Sequence, residues 1–62
     1  MTPSERAKIL RDIARGYDKL RVVYNSMAMW TEDENGEAIR ACIETIAMTE
    51  EKIIELQAEV YL

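Results

Sequence analysis

A seven-residue recurrence of apolar side chains runs along this chain twice and breaks once. In the first run Leu10, Ile13, Tyr17, Leu20, Tyr24 and Met27 are separated by alternating gaps of three and four. In the second run Ile39, Ile46, Ile53 and Val60 recur every seventh residue, with Cys42, Thr49 and Leu56 between them. Such spacing gathers side chains on one stripe of an α-helix, as the a and d positions of a heptad. The break, Thr31-Glu32-Asp33-Glu34-Asn35-Gly36, is the chain's turn-like cluster. The expected elements are a helix over 3–30, a turn over 31–36 and a helix over 37–60. A short connection makes the two helices antiparallel neighbours. One continuous helix is the alternative, and a glycine inside a polar, acidic break argues against it.

The first helix has a marked start. Thr2-Pro3-Ser4-Glu5 fits a capping box with proline at the first helical position. The Thr2 hydroxyl is expected to accept from the Glu5 N–H, and the Glu5 carboxylate to reach back to the Thr2 N–H. Two starts are open for the second helix: Thr31-x-x-Glu34 as its cap, or Asn35-Gly36 as the turn. Gly16 sits inside the first helix at a cost of about 1 kcal/mol against alanine. Its lack of a side chain gives a ring or another backbone room to approach.

Both stripes are broad. Ile9, Val23 and Trp30 widen the first on one flank, and Ala7, Ala14 and Ala28 line the other. Ile43, Ala47, Ile54, Ala58 and Tyr61 add a second strip to the second helix, so that its apolar sector spans about 160°. Two helices share one interface and cannot cover both sectors. Leu20, Val23, Trp30, Ile43, Ile54 and Tyr61 would leave apolar area exposed, which marks a partner surface when it exceeds a few hundred Å².

Size points the same way. A domain of 62 residues buries a small share of its surface and is marginal alone. One cysteine excludes a disulfide within the chain, and without histidine a zinc site is not expected. Oligomerisation is the remaining common means of stabilisation. The expected architecture is all-α: an antiparallel two-helix hairpin that dimerises into a four-helix bundle. Its core would hold Leu10, Ile13, Tyr17, Leu20, Tyr24, Met27, Ile39, Cys42, Ile43, Ile46, Ile53, Leu56 and Val60.

Charge supports the antiparallel pairing. Residues 1–30 carry six basic and three acidic side chains, and residues 31–62 two basic and nine acidic, giving the overall −4. Folding back at the expected turn sets Leu20 opposite Ile46 and Ala47, Ile13 opposite Ile53 and Ile54, and Tyr17 near Thr49 and Glu50. Lys8 then approaches Glu59, Arg11 approaches Glu55 and Arg15 approaches Glu51. Exposed pairs are worth about 0–1 kcal/mol each, so they would select register more than add stability.

No catalytic, cofactor-binding or metal-binding residue is expected. Histidine, the usual general base, is missing. Glu44, Glu51 and Glu55 read as a solvated helix face, and Ser4 and Ser26 have no triad setting. Cys42 reads as a small buried hydrophobe, with a redox thiol or an intersubunit disulfide as alternatives. Tyr17, Tyr24 and Thr49 put hydroxyls on the core stripe, where they would reach the bundle edge. Lys8, Arg11, Arg15 and Lys19 form a basic stripe. It reads as the salt-bridge partner of the second helix, or alternatively as a phosphate-contacting surface. Glu37, Glu44, Glu51 and Glu55 form an acidic stripe that reads as solvated surface, or as a mimic of nucleic-acid phosphates. Val22, Met29 and Trp30 are the candidate patch for another protein, since methionine adapts its shape to a partner.

In length, helix pattern and central turn the chain resembles Rop, the small plasmid RNA-binding protein. The resemblance implies a hairpin that dimerises into a four-helix bundle. At the positions of that protein's RNA-contacting face this chain has Leu10, Ala14 and Asp18, so no functional residue carries over. The longest apolar run, Met27 to Trp30, is too short to span a membrane. Glu5, Arg6 and Lys8 argue against a signal peptide, and a lone cysteine fits the cytoplasm. The expected function is a non-enzymatic interaction module: a regulator, adaptor or inhibitor whose partners are a second copy and another protein. The alternatives are a nucleic-acid-binding dimer and a small subunit of an enzyme assembly.

Overall fold

A computed structural model describes residues 1–61. They form two antiparallel helices, α1 (Pro3–Glu32) and α2 (Gly36–Tyr61). Thr2 is the N-cap of α1, and its Oγ1 accepts from the Glu5 N–H at 3.1 Å. The same hydroxyl donates to the Glu5 carboxylate at 3.0 Å. The box is therefore closed through one hydroxyl, and not by Glu5 reaching the Thr2 N–H.

Helix α1 runs past its expected end. The Thr31 hydroxyl donates back to the Met27 carbonyl at 2.7 Å, which keeps Thr31 inside the helix. The chain stops at a Schellman turn. The Glu34 N–H donates to the Thr31 carbonyl at 3.1 Å, and the Asn35 N–H to the Trp30 carbonyl at 3.0 Å. Glu34 takes the left-handed position of that turn, with φ 53°. A side chain there costs about 1–2 kcal/mol relative to right-handed backbone. Asn35 opens α2, its Oδ1 accepting from the Ala38 N–H at 3.1 Å. Of the two starts left open by the sequence, the one at Asn35-Gly36 is used, with Asn35 as the cap.

The seam of α2 is the expected stripe. Ile46, Thr49, Ile53 and Val60 are buried, and Ile39, Cys42 and Leu56 half-buried. The seam of α1 is so only in part: Ile13, Leu20 and Met27 of the expected stripe are in it. Ile13 is buried, and Ile9, Gly16, Leu20, Val23, Met27 and Trp30 are half-buried. Leu10, Tyr17 and Tyr24 stand 46%, 52% and 48% exposed. They lie at the edge of the seam and not inside it, so that part of the stripe assigned to α1 is rotated onto its flank. The cause is Gly16. A Cβ built there would lie 2.7 Å from Ile53 Cγ1, so the Ile53 side chain fills the space a seam residue would occupy. Turning Tyr17 outward also spares its hydroxyl from burial: Tyr17 Oη accepts from Gln57 Nε2 at 2.9 Å at the seam's edge.

The register moves as well. Gly16 lies against Ile53, where the expected turn would have set Glu50 or Glu51. The longer α1 pushes the turn to Asp33–Asn35 and shifts every later pairing. The ion pairs expected between helices do not form. The pairs found are Arg15–Asp12 at 2.8 Å and Lys52–Glu55 at 4.0 Å, both exposed and both within one helix. Lys8 and Arg11, expected opposite Glu59 and Glu55, make no such pair among the described residues.

The interior is thin. Ile13, Ile53 and Val60 form its centre, with Ile9, Leu20 and Leu56 packed against them. No large side chain is completely enclosed among the described residues. The molecule measures 47 × 14 × 11 Å and exposes 4859 Å². A compact monomer of 7.2 kDa would expose about 4,100 Å².

Candidate interaction surfaces

The two helices leave two long flanks, and they differ in chemistry. On the first, Leu10, Tyr17 and Tyr24 recur every seven residues along α1. Tyr17, Leu20 and Tyr24 share a groove with Glu50, Ile53, Ile54 and Gln57 of α2. Tyr61 lies seven residues beyond Ile54, and Ile43 seven before Glu50, so both continue that flank. The second strip of α2 thus meets the displaced stripe of α1 on one face. Leu10, Tyr17, Tyr24, Ile43, Ile54 and Tyr61 are all exposed there. It holds six of the ten large apolar side chains exposed among the described residues, and it runs from the open end of the hairpin to the level of Tyr24 and Ile43.

The second flank is mixed. Near the open end its groove is lined by Asp12, Arg15, Gly16 and Lys19 of α1 and by Met48, Thr49, Lys52, Ile53 and Leu56 of α2. Toward the turn the same flank of α1 continues as Val22 and Met29, seven and fourteen residues after Arg15. Both are exposed, as is Met48 on α2.

The candidate residues therefore sort differently from their grouping in sequence. Of the expected patch, Val22 and Met29 share the second flank, but Trp30 is half-buried in the seam beside the turn. Of the basic stripe, Arg15 and Lys19 line the second groove, Lys8 lies seven residues before Arg15 on that flank, and Arg11 is exposed beyond it. Lys52 joins Arg15 and Lys19 across the seam. Sequence reasoning missed Lys52 and Met48, although each directly precedes a seam residue, Ile53 and Thr49, and the helical phase of the α2 stripe is enough to place them on this flank. Cys42 is half-buried in the seam, and the Thr49 hydroxyl donates to the Thr45 carbonyl at 2.7 Å. Among the described residues no three acidic, cysteine or histidine side chains lie together as a metal site would need. No described helix is long and apolar enough to cross a membrane.

No protein family, curated protein or solved structure matches the chain.

Proposed function

We propose that the chain is a non-enzymatic interaction module whose working unit is a homodimeric four-helix bundle, closed across the Leu10–Tyr17–Tyr24 and Ile43–Ile54–Tyr61 face. The observation that carries this reading is the convergence of two apolar strips on one exposed face of a hairpin with an incomplete interior. The hairpin exposes about 750 Å² more than a compact monomer of its mass. A standard interface covers about 800 Å² on each partner. A second copy brings a face of matching length and polarity, and a two-fold axis lets each strip bury the other. The aromatic anchors are Tyr17, Tyr24 and Tyr61, a residue type enriched where interfaces concentrate their binding energy. The function is presentation of a surface, in the manner of a regulator, adaptor or inhibitor.

Sedimentation of the intact chain beside Tyr17→Asp plus Ile54→Asp tests the reading. The expected result is a dimer for the parent and a helical monomer for the double variant. A parent that sediments as a monomer at tens of micromolar would refute it.

A further inference from the structure

We infer that the turn-end half of the second flank, centred on Val22, Met29 and Met48, is a docking site for a basic amphipathic helix of another protein. The patch lies on the flank opposite the tyrosines, so dimerisation across the apolar face leaves it open. Val22 and Met29 are about half exposed and Met48 is 71% exposed. The Gly16–Ile53 contact sets Val22 at the level of Ala47 and Met48, with Met29 two turns nearer the turn on the same flank of α1. Between Lys19 and the turn this flank of α1 carries Val22, Ser26 and Met29, and that of α2 Ala38, Ala41, Thr45 and Met48. None is charged. The stretch is about 20 Å long at 1.5 Å per residue, room for three to four turns of a partner helix.

Charge selects the occupant. Residues 18–51, the half of the hairpin nearer the turn, hold eight acidic and three basic side chains, net −5, and the rest nets +1. Glu32, Asp33, Glu34 and Glu37 cluster at the turn itself. Unbranched methionines beside an acidic rim suit an apolar helix face flanked by lysine or arginine. Arg15, Lys19 and Lys52 close the other end of the patch, so the partner's cations must fall at the turn. The site appears twice in the dimer.

Trp30, the chain's single tryptophan, sits half-buried beside the turn and reports on the site. The intact chain is titrated with a 14-residue Leu/Lys amphipathic peptide and with its Leu/Glu counterpart, following Trp30 emission and peptide anisotropy. Binding of the Leu/Lys peptide alone is expected, weakening with added salt. Affinity should fall about tenfold or more in Met29→Asp plus Met48→Asp, a loss of about 1.4 kcal/mol or more. Sedimentation should still show the dimer. The milder Met29→Ser plus Met48→Ser pair gives the same reading if the aspartates disturb folding. Equal binding of both peptides, an affinity untouched by either pair, or no binding below millimolar peptide would overturn the site. Dissociation of the dimer into peptide-bound monomers would place the peptide on the tyrosine face instead, which also overturns this assignment.

Discussion

Helix α1 and helix α2 carry the same heptad rhythm, but only in α2 is the visible stripe the buried one. In α2 every seam position has a side chain, so the pattern can be read directly from Ile39 to Val60. In α1 one seam position is Gly16, and the eye passes to Tyr17 beside it. The true seam, Ile9, Ile13, Gly16, Leu20, Val23, Met27 and Trp30, has the same gaps of four and three. A glycine in a knob position hides a heptad because its contribution is a hole, and the hole is legible only once Ile53 is seen to fill it. The difference also separates two roles. The α2 stripe holds the hairpin together, while the bulky residues displaced in α1 form a second surface.

The comparison breaks most visibly at Ile53, which is 4% exposed and touches the Gly16 site. Ile53→Ala should cost about 2–5 kcal/mol in urea unfolding, since it empties the centre of the seam. Tyr17→Ala, outside the seam, should alter the helicity of the monomer little and weaken dimerisation by about 2 kcal/mol, measured by sedimentation. If Tyr17→Ala instead unfolds the chain as Ile53→Ala does, the rotated seam is wrong.

Gly16→Ala sharpens the point. Alanine favours the helix by about 1 kcal/mol, but a Cβ 2.7 Å from the Cγ1 methylene of a buried isoleucine forces repacking worth about 1–3 kcal/mol. A net loss of about 1 kcal/mol is expected, and it should vanish when Gly16→Ala is made on an Ile53→Ala background, which removes the clashing γ carbon. A plain gain in stability would mean that Gly16 lies outside the seam.

Glu34→Gly probes the turn that sets the register. Glycine removes the left-handed strain at φ 53° but raises the entropy of the unfolded chain. A gain of about 0.5–1 kcal/mol in thermal unfolding is expected. The smallest effect concerns the lost ion pairs. A double-mutant cycle on Arg11 and Glu55 should give a coupling within about 0.3 kcal/mol of zero. A coupling near 1 kcal/mol would restore the shorter register.

These effects mark how far the sequence could be read. Two helices, one turn and the whole α2 seam follow from spacing, since periodicity needs no tertiary knowledge. The register did not follow. It depends on where α1 stops, and the Thr31 hydroxyl, the Glu34 turn and the Asn35 cap decide that by local hydrogen bonds worth about 1 kcal/mol apiece. A displacement of two to three residues in the pairing was enough to remove the expected ion pairs and to set Ile53 against Gly16. The apolar face was legible only in part. Ile43, Ile54 and Tyr61 stand out by spacing as an uncovered strip, while spacing alone puts Leu10, Tyr17 and Tyr24 in the seam, and only the observed rotation of α1 joins them to that strip.

The central claim is that the hairpin's interior is completed by a second copy. The unfolding midpoint across a hundredfold range of chain concentration tests it most directly. Because a second copy binds the folded hairpin and not the unfolded chain, the midpoint should climb with concentration, the hundredfold change being worth up to about 2.7 kcal/mol per dimer. A midpoint that stays constant over the whole range, with a solution mass of 7.2 kDa, would contradict it.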